Sequence, residues 1–286
     1  MSTTSPFTTT HEVPVTAGSV YVAKVGDHDA DPLLLLHGWP QDHSAWRHLA
    51  DLAASSHRVL ALDLPDIGNS RLDAPRGDKV HLASLVHEVV AALGLDERRL
   101  AIVGHDAGGM TVLAYLRTQP PIRRAVIMDT VLPGVPPWQE VLANPWIWHF
   151  AFHSIPALPE RLVRPELPAY LDYFFEAITA HPERVDVEAR ARYVASYERP
   201  EALTQGFELY RAFPRDAADN AEVRRVDVPL LYLRGSAEGG DLETYAEGLR
   251  GNGLSAVSTG RVDDAGHFAP EEQPQAVWAA IAAHLR

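Results

Sequence analysis

The sequence predicts an α/β fold: a core with a mostly parallel sheet flanked by helices, and a helical segment inserted into it. Three observations predict it: short apolar runs bounded by turn residues, helical patterns alternating with them, and one long aromatic stretch where the alternation stops. The runs are "LLLLH" (33–37), "RVLALD" (58–63), "RLAIVG" (99–104), "RAVIMD" (124–129) and "PLLYLRG" (229–235). Each is short and almost continuously apolar, which suits a parallel strand buried on both faces. Residues 78–93, 108–117 and 272–285 instead place apolar side chains at helical spacing. Strand and helix in alternation argue for a parallel sheet covered by helices.

The rhythm breaks after Asp129. "PGVPPWQEVLANPWIWHFAFHSIPALPE" and the helical patterns "YLDYFFEAI" and "ALTQGFELYRAF" follow, with no clear strand between residues 132 and 224. The expected division is therefore a core of residues 1–131 and 225–286 and a lid of residues 132–224. The first 12 residues are expected to lack fixed structure.

A chain of 286 residues can bury one large α/β core, and 46% hydrophobic against 22% charged residues suits an ordinary globular protein. No apolar stretch approaches the roughly 20 residues that cross a bilayer, so no membrane partner is expected. The start, "MSTTSPFTTTHEV", lacks the basic and apolar regions of a secretory signal, and a cytoplasmic protein is expected. The absence of cysteine excludes disulfides, thiolate metal sites and a cysteine nucleophile. A net charge of −13 would repel a phosphate backbone, so nucleic acid is excluded as a partner. A small-molecule substrate and a monomer or homodimer are expected.

Three motifs carry chemistry. "GHDAGG" (104–109) fits a nucleophile elbow, G-x-Nuc-x-G, with Asp106 in the nucleophile slot between a strand and a helix. Glycines there let strand and helix approach around one strained residue; the plainer reading is a helix cap. "HGWP" (37–40) follows the strand "LLLL", where the amides of Trp39 and Ala107 could aim at a developing oxyanion. "DDAGHFAPEEQP" (263–274) puts His267 in a turn before the last helix, where a base is due in the chain order nucleophile, acid, histidine.

Together these motifs resemble the α/β-hydrolase superfamily, and within it the aspartate-nucleophile branch of epoxide hydrolases, haloalkane dehalogenases and fluoroacetate dehalogenases. The resemblance covers nearly the whole chain. "DLPDIGNS" (63–70) is similar to the branch's D-x-P-G-x-G-x-S stretch, with Asp66 in place of one glycine. An aspartate nucleophile makes chemical sense on saturated carbon. A serine would leave an ether that water does not readily remove, whereas a carboxylate leaves an ester open to a second attack. The resemblance implies that His267 activates water against that ester while Trp39 and Ala107 hold the oxyanion. No cofactor or metal is called for.

The acid that orients His267 has two candidate positions. Asp129, ending the strand "RAVIMD", is favoured because a carboxylate at a buried strand end needs a reason to be there; the alternatives, Glu238 and Asp241, follow "PLLYLRG". The resemblance places Tyr210 in the slot of an epoxide hydrolase tyrosine that donates to the epoxide oxygen. Where the other tyrosine is due, Trp148 and His149 stand instead, and His37 joins them as a candidate for binding the substrate or leaving group. Fluoroacetate dehalogenases carry arginines one and four residues after the nucleophile, where this chain has Ala107 and Met110. Haloalkane dehalogenases usually carry a tryptophan at the position of Ala107. By elimination, a fairly bulky apolar or aromatic epoxide is the expected substrate. A dehalogenase is the alternative, and a slowly reacting small-molecule receptor on the same fold is the other class.

Overall fold

A computed structural model describes residues 5–286. The strands are β1 (Thr9–Val15), β2 (Gly18–Val25), β3 (Asp31–Leu36), β4 (His57–Leu62), β5 (Arg71–Leu72), β6 (Ala101–His105), β7 (Arg124–Met128), β8 (Leu230–Gly235) and β9 (Val257–Val262). They form a single sheet in the order β1-β2-β4-β3-β6-β7-β8-β9, with β5 beside β2. Pairing is antiparallel at the β1, β2 and β5 end and parallel from β4 to β9.

The continuous apolar runs have a simple cause. Leu34 and Leu36 of β3 join an apolar layer with helices α2 (Lys79–Ala92) and α3 (Ala107–Thr118). Leu33 and Leu35 point the other way, into a second layer with α1 (Arg47–Ala53) and the C-terminal helix Pro274–Leu285. Successive side chains of a strand face opposite sides, so a sheet covered on both faces needs apolar residues at every position.

Two parts of the sheet carry weaker patterns. β1 exposes most of its residues and β9 is an edge strand written "VSTGRV", so neither shows an apolar run. β1 also corrects the expectation that the first 12 residues lack fixed structure, because residues 9–12 pair with Tyr21 to Lys24. Residues 1–4 lie outside the described residues.

Between β7 and β8 the chain runs through α4 (Trp138–Ala143), α5 (Trp148–Ser154), α6 (Leu158–Val163), α7 (Leu167–Ala177), α8 (Val187–Tyr197), α9 (Pro200–Arg211) and α10 (Phe213–Ala221). Buried polar contacts fasten them to the sheet-bearing part. Lys79 Nζ of α2 donates to Asp216 of α10 at 2.9 Å and to the Leu209 carbonyl at 2.7 Å. The Glu271 carboxylate accepts from Arg47 of α1 and from Tyr193 of α8. Glu272 accepts from the amides of Ala180 and His181 and also from Gly266 and Phe268, which flank His267. No helix among the described residues is long and apolar enough to cross a membrane.

Candidate active site

β6 passes into α3 through Asp106, whose φ of 47° and ψ of −117° are rare for a residue with a side chain. Its neighbours allow the bend. A Cβ on Gly104 would lie 2.4 Å from the Gly108 carbonyl oxygen, and one on Gly108 would lie 2.2 Å from that of Leu36. Gly38 is equally constrained, since a Cβ there would sit 2.4 Å from the Asp106 Cβ. The Asp106 side chain makes no capping bond to α3 and lines a cavity of about 480 Å³ beneath the inserted helices. That is where a substrate group would meet it.

The Trp39 amide donates to Asp106 Oδ2 at 2.9 Å, and the Ala107 amide also faces this carboxylate. Burial raises the Asp106 pKa, opposed by the His267 charge and these two amides. Two backbone donors therefore face the carboxylate that would carry an oxyanion if Asp106 were esterified and attacked.

After β8 the chain forms α11 (Leu242–Gly251) and β9, and His267 lies in the loop between β9 and α12 (Ala269–Glu272), ahead of the C-terminal helix α13 (Pro274–Leu285). Its amide donates to the Ile178 carbonyl, and its own carbonyl lies 2.7 Å from His105 Nε2. Its Nδ1 meets Glu238 Oε1 at 2.7 Å. Arg234 holds the other Glu238 oxygen at 2.6 Å while lying over the Tyr245 ring. Burial by itself would lower the His267 pKa, but the charge and hydrogen bond of Glu238, the charge of Asp106 and, least, that of Asp129 raise it to about 9. Glu238 is held below the usual carboxylate range: burial works against this, and His267 and Arg234 prevail.

The sequence preference for Asp129 as the partner of His267 is corrected here. Asp129 follows β7 with φ 46°, and its Oδ1 accepts the Gly235 amide at 2.7 Å. The ring of His267 is bonded to Glu238 instead. Asp241, the other alternative, caps α11 through Thr244.

The candidates on the helices between β7 and β8 separate. Tyr210 of α9 is buried at the cavity wall, and burial, then the Asp106 charge, push its pKa well above the ordinary value. His149 of α5 lines the same wall with its ring centroid 5.7 Å from that of Tyr210. Burial and then the His267 charge lower its pKa to about 3, so its imidazole is neutral. Trp148 turns outward and donates to Tyr173 at 3.3 Å, away from the cavity. Its sequence placement among the binding residues is corrected accordingly. His37 is corrected as well: Nδ1 meets the Gly38 carbonyl and Nε2 accepts the Leu64 amide, both at 2.9 Å, so the ring is fully committed to the scaffold.

Among the described residues, Asp42, His43 and Asp63 are close enough to offer ligand atoms to a metal. The Asp63 carboxylate already accepts from the His43 amide and ring and from the Asn69 amide, which shapes the "DLPDIGNS" turn. The donor set is that of a braced loop.

The α/β hydrolase family model matches residues 33–280. The chain belongs to the α/β hydrolase family. This α/β hydrolase is 30% identical over 272 residues to a soluble epoxide hydrolase of Corynebacterium sp. (strain C12), covering 92% of this chain and 89% of that one. It is 28% identical over 242 residues to a fluoroacetate dehalogenase of Burkholderia sp., covering 78% and 77%. Among solved structures, the epoxide hydrolase CorEH without ligand superposes with a TM-score of 0.85 at 27% identity over 96% of this chain and 98% of that one. The protein is an enzyme with hydrolase activity, acting on a small molecule as this family does.

Several site residues of the hydrolase escape sequence reasoning. Arg234 closes an apolar strand and reads as its polar end; nothing local says that it folds over Tyr245 to grip Glu238. Glu272, which braces the His267 loop through four amides, is one acid in the exposed-looking run "APEEQP".

Proposed function

We propose that this hydrolase opens a fairly bulky apolar or aromatic epoxide to a diol through a covalent Asp106 ester, beneath a lid formed by residues 132–224. The observation that carries the reading is the pair Tyr210 and His149, which line the cavity shared with Asp106 and can both donate hydrogen bonds to a leaving oxygen. An epoxide oxygen leaves as a basic alkoxide and needs such donors, whereas a halide leaves without a proton. Trp148, which would complete a halide-gripping set, faces Tyr173. Val141, Ile147 and Phe150 give the cavity an apolar wall suited to a bulky substituent.

The proton count closes. Asp106 attacks a ring carbon, its C–O bond breaks, and the alkoxide takes the Tyr210 proton, with the neutral His149 as second donor. Protonated His267 restores that proton through solvent and becomes a neutral base. It then deprotonates a water, hydroxide adds to the Asp106 ester carbon, and the oxyanion rests on the Trp39 and Ala107 amides. As the ester C–O bond breaks, the diol oxygen takes the proton of the reborn Asp106 carboxyl. Glu238 orients the imidazole and stabilises its cationic form throughout.

His267→Gln should retain ester formation and block its hydrolysis. Incubated with styrene oxide, this variant should gain the mass of one substrate on the peptide containing Asp106. A single turnover of the unaltered enzyme in heavy-oxygen water should give an unlabelled diol, because the first oxygen comes from Asp106. Labelled diol in that first turnover would exclude the ester route.

A further inference from the structure

His267 has one hydrogen-bonded carboxylate, Glu238, yet a second carboxylate closes the end of the neighbouring strand. Asp129 is 1% exposed and lines the cavity that contains His267 and Glu238. Its Oδ1 is occupied by the Gly235 amide, while its Oδ2 is buried without a hydrogen-bond partner. Holding Asp129 takes a left-handed backbone, φ 46°, at a residue with a side chain. A stray carboxyl gains nothing from such a position.

The neighbouring charges decide its state. From β8 and the loop after it come Tyr232, Arg234 and Glu238; from the loop after β9 comes His267; His105 of β6 lies behind His267. Arg234 is engaged with Glu238 and with the Tyr232 hydroxyl. With Glu238 ionised, an ionised Asp129 would be a buried charge with one bare oxygen and no cation of its own, which is strongly disfavoured. Two carboxylates in such a setting share a proton unequally, and Glu238, which has both partners, keeps the charge.

We propose that Asp129 is a reserve acid of the His267 relay: a positioning residue that holds a proton while Glu238 is ionised and yields it to solvent, taking over the negative charge, when Glu238 is neutralised. Burial and the Glu238 charge both hold its carboxyl well above the usual range, in keeping with that arrangement. Loss of the Glu238 charge removes the second of these causes.

The inference rests on His267 being the base of the proposed reaction only for its consequence; its test uses the resting protein, so a failure to turn over epoxides leaves it standing. Carboxyl-labelled aspartate NMR, with Asp129 assigned by its loss in Asp129→Asn, should show Asp129 protonated at neutral pH; an ionised Asp129 there overturns the proposal. Imidazole NMR, with His267 assigned by its loss in His267→Gln, then follows the relay. Glu238→Gln should keep the His267 pKa above its ordinary value of about 6.5, because Asp129 ionises in its place. The double variant Glu238→Gln/Asp129→Asn should drop it below that value. If Glu238→Gln alone falls as far as the double variant, Asp129 holds nothing in reserve. The aspartate titration needs no variant at Glu238, so the test survives a failure of that variant to fold.

Discussion

Raising the pH through the His267 titration should separate the two halves of the proposed reaction, and the structure sets the direction of the effect. With a pKa of about 9, the resting imidazole is protonated by about 100 to 1 at pH 7. That state suits attack by Asp106, whose carboxylate it faces, and is wrong for the second step, where a neutral base must take a proton from water. Were the value unchanged in the ester, base availability alone would cost about 2.7 kcal/mol at pH 7, a factor of about 100 in the hydrolysis rate. Ester formation changes it. The Asp106 carboxylate is one of the causes that raise the His267 pKa, and esterification removes its charge while the lowering effect of burial persists. The sign follows: ester decay rises with pH as His267 loses its proton, and its midpoint lies below that of the resting enzyme. Quenched-flow single turnovers from about pH 5.5 to 9.5, with the ester counted by intact mass, measure formation and decay separately. A decay rate that is flat over this range, or has its midpoint at or above the resting value, would refute the charge coupling between Asp106 and His267.

Three further outcomes follow from single contacts. Tyr210→Phe should lower epoxide turnover by about 100-fold or more, as loss of a general acid does, while Trp148→Phe should change it by no more than about 2-fold; both are read as kcat on styrene oxide. Lys79→Ala strands Asp216, which is 3% exposed, between α2 and α10, and should cost about 3 kcal/mol or more of stability in urea unfolding. Gly38→Ala brings a Cβ to 2.4 Å from the Asp106 Cβ and should abolish ester trapping in the His267→Gln background while leaving the far-ultraviolet circular dichroism in place.

How much of this was legible in the sequence depends on whether a residue's role is set by its neighbours in the chain or across the fold. Asp106 belongs to the first kind. The glycines that permit its bend stand within two residues of it, and the strand and helix on either side show their own periodicities, so motif and context agree. The core strands are legible for the same reason, since burial on both faces writes itself as an apolar run. β1 and β9 are not, because an edge or half-exposed strand leaves no such mark.

The choice between Asp129 and Glu238 belongs to the second kind. Both follow strands that end at the same edge of the sheet, and the sequence shows two carboxylates at plausible distances from the elbow. What separates them is the direction of a side chain: Asp129 is turned onto the Gly235 amide, while Glu238 is drawn by Arg234 toward His267 Nδ1. Trp148 and His149 pose the same difficulty on a helix. Adjacent helical residues point about 100° apart, so the cavity meets only an arc of α5: His149 and Phe150 fall within it and Trp148 does not. Which one does so depends on the phase with which α5 begins, and that phase is reset by the turn Pro145–Ile147, capped by Asn144. A resemblance places a slot in the chain to within a residue. In α5 that residue decides whether an indole or an imidazole lines the cavity, and in the proposed reaction it would decide between a halide clamp and a second hydrogen-bond donor for an alkoxide.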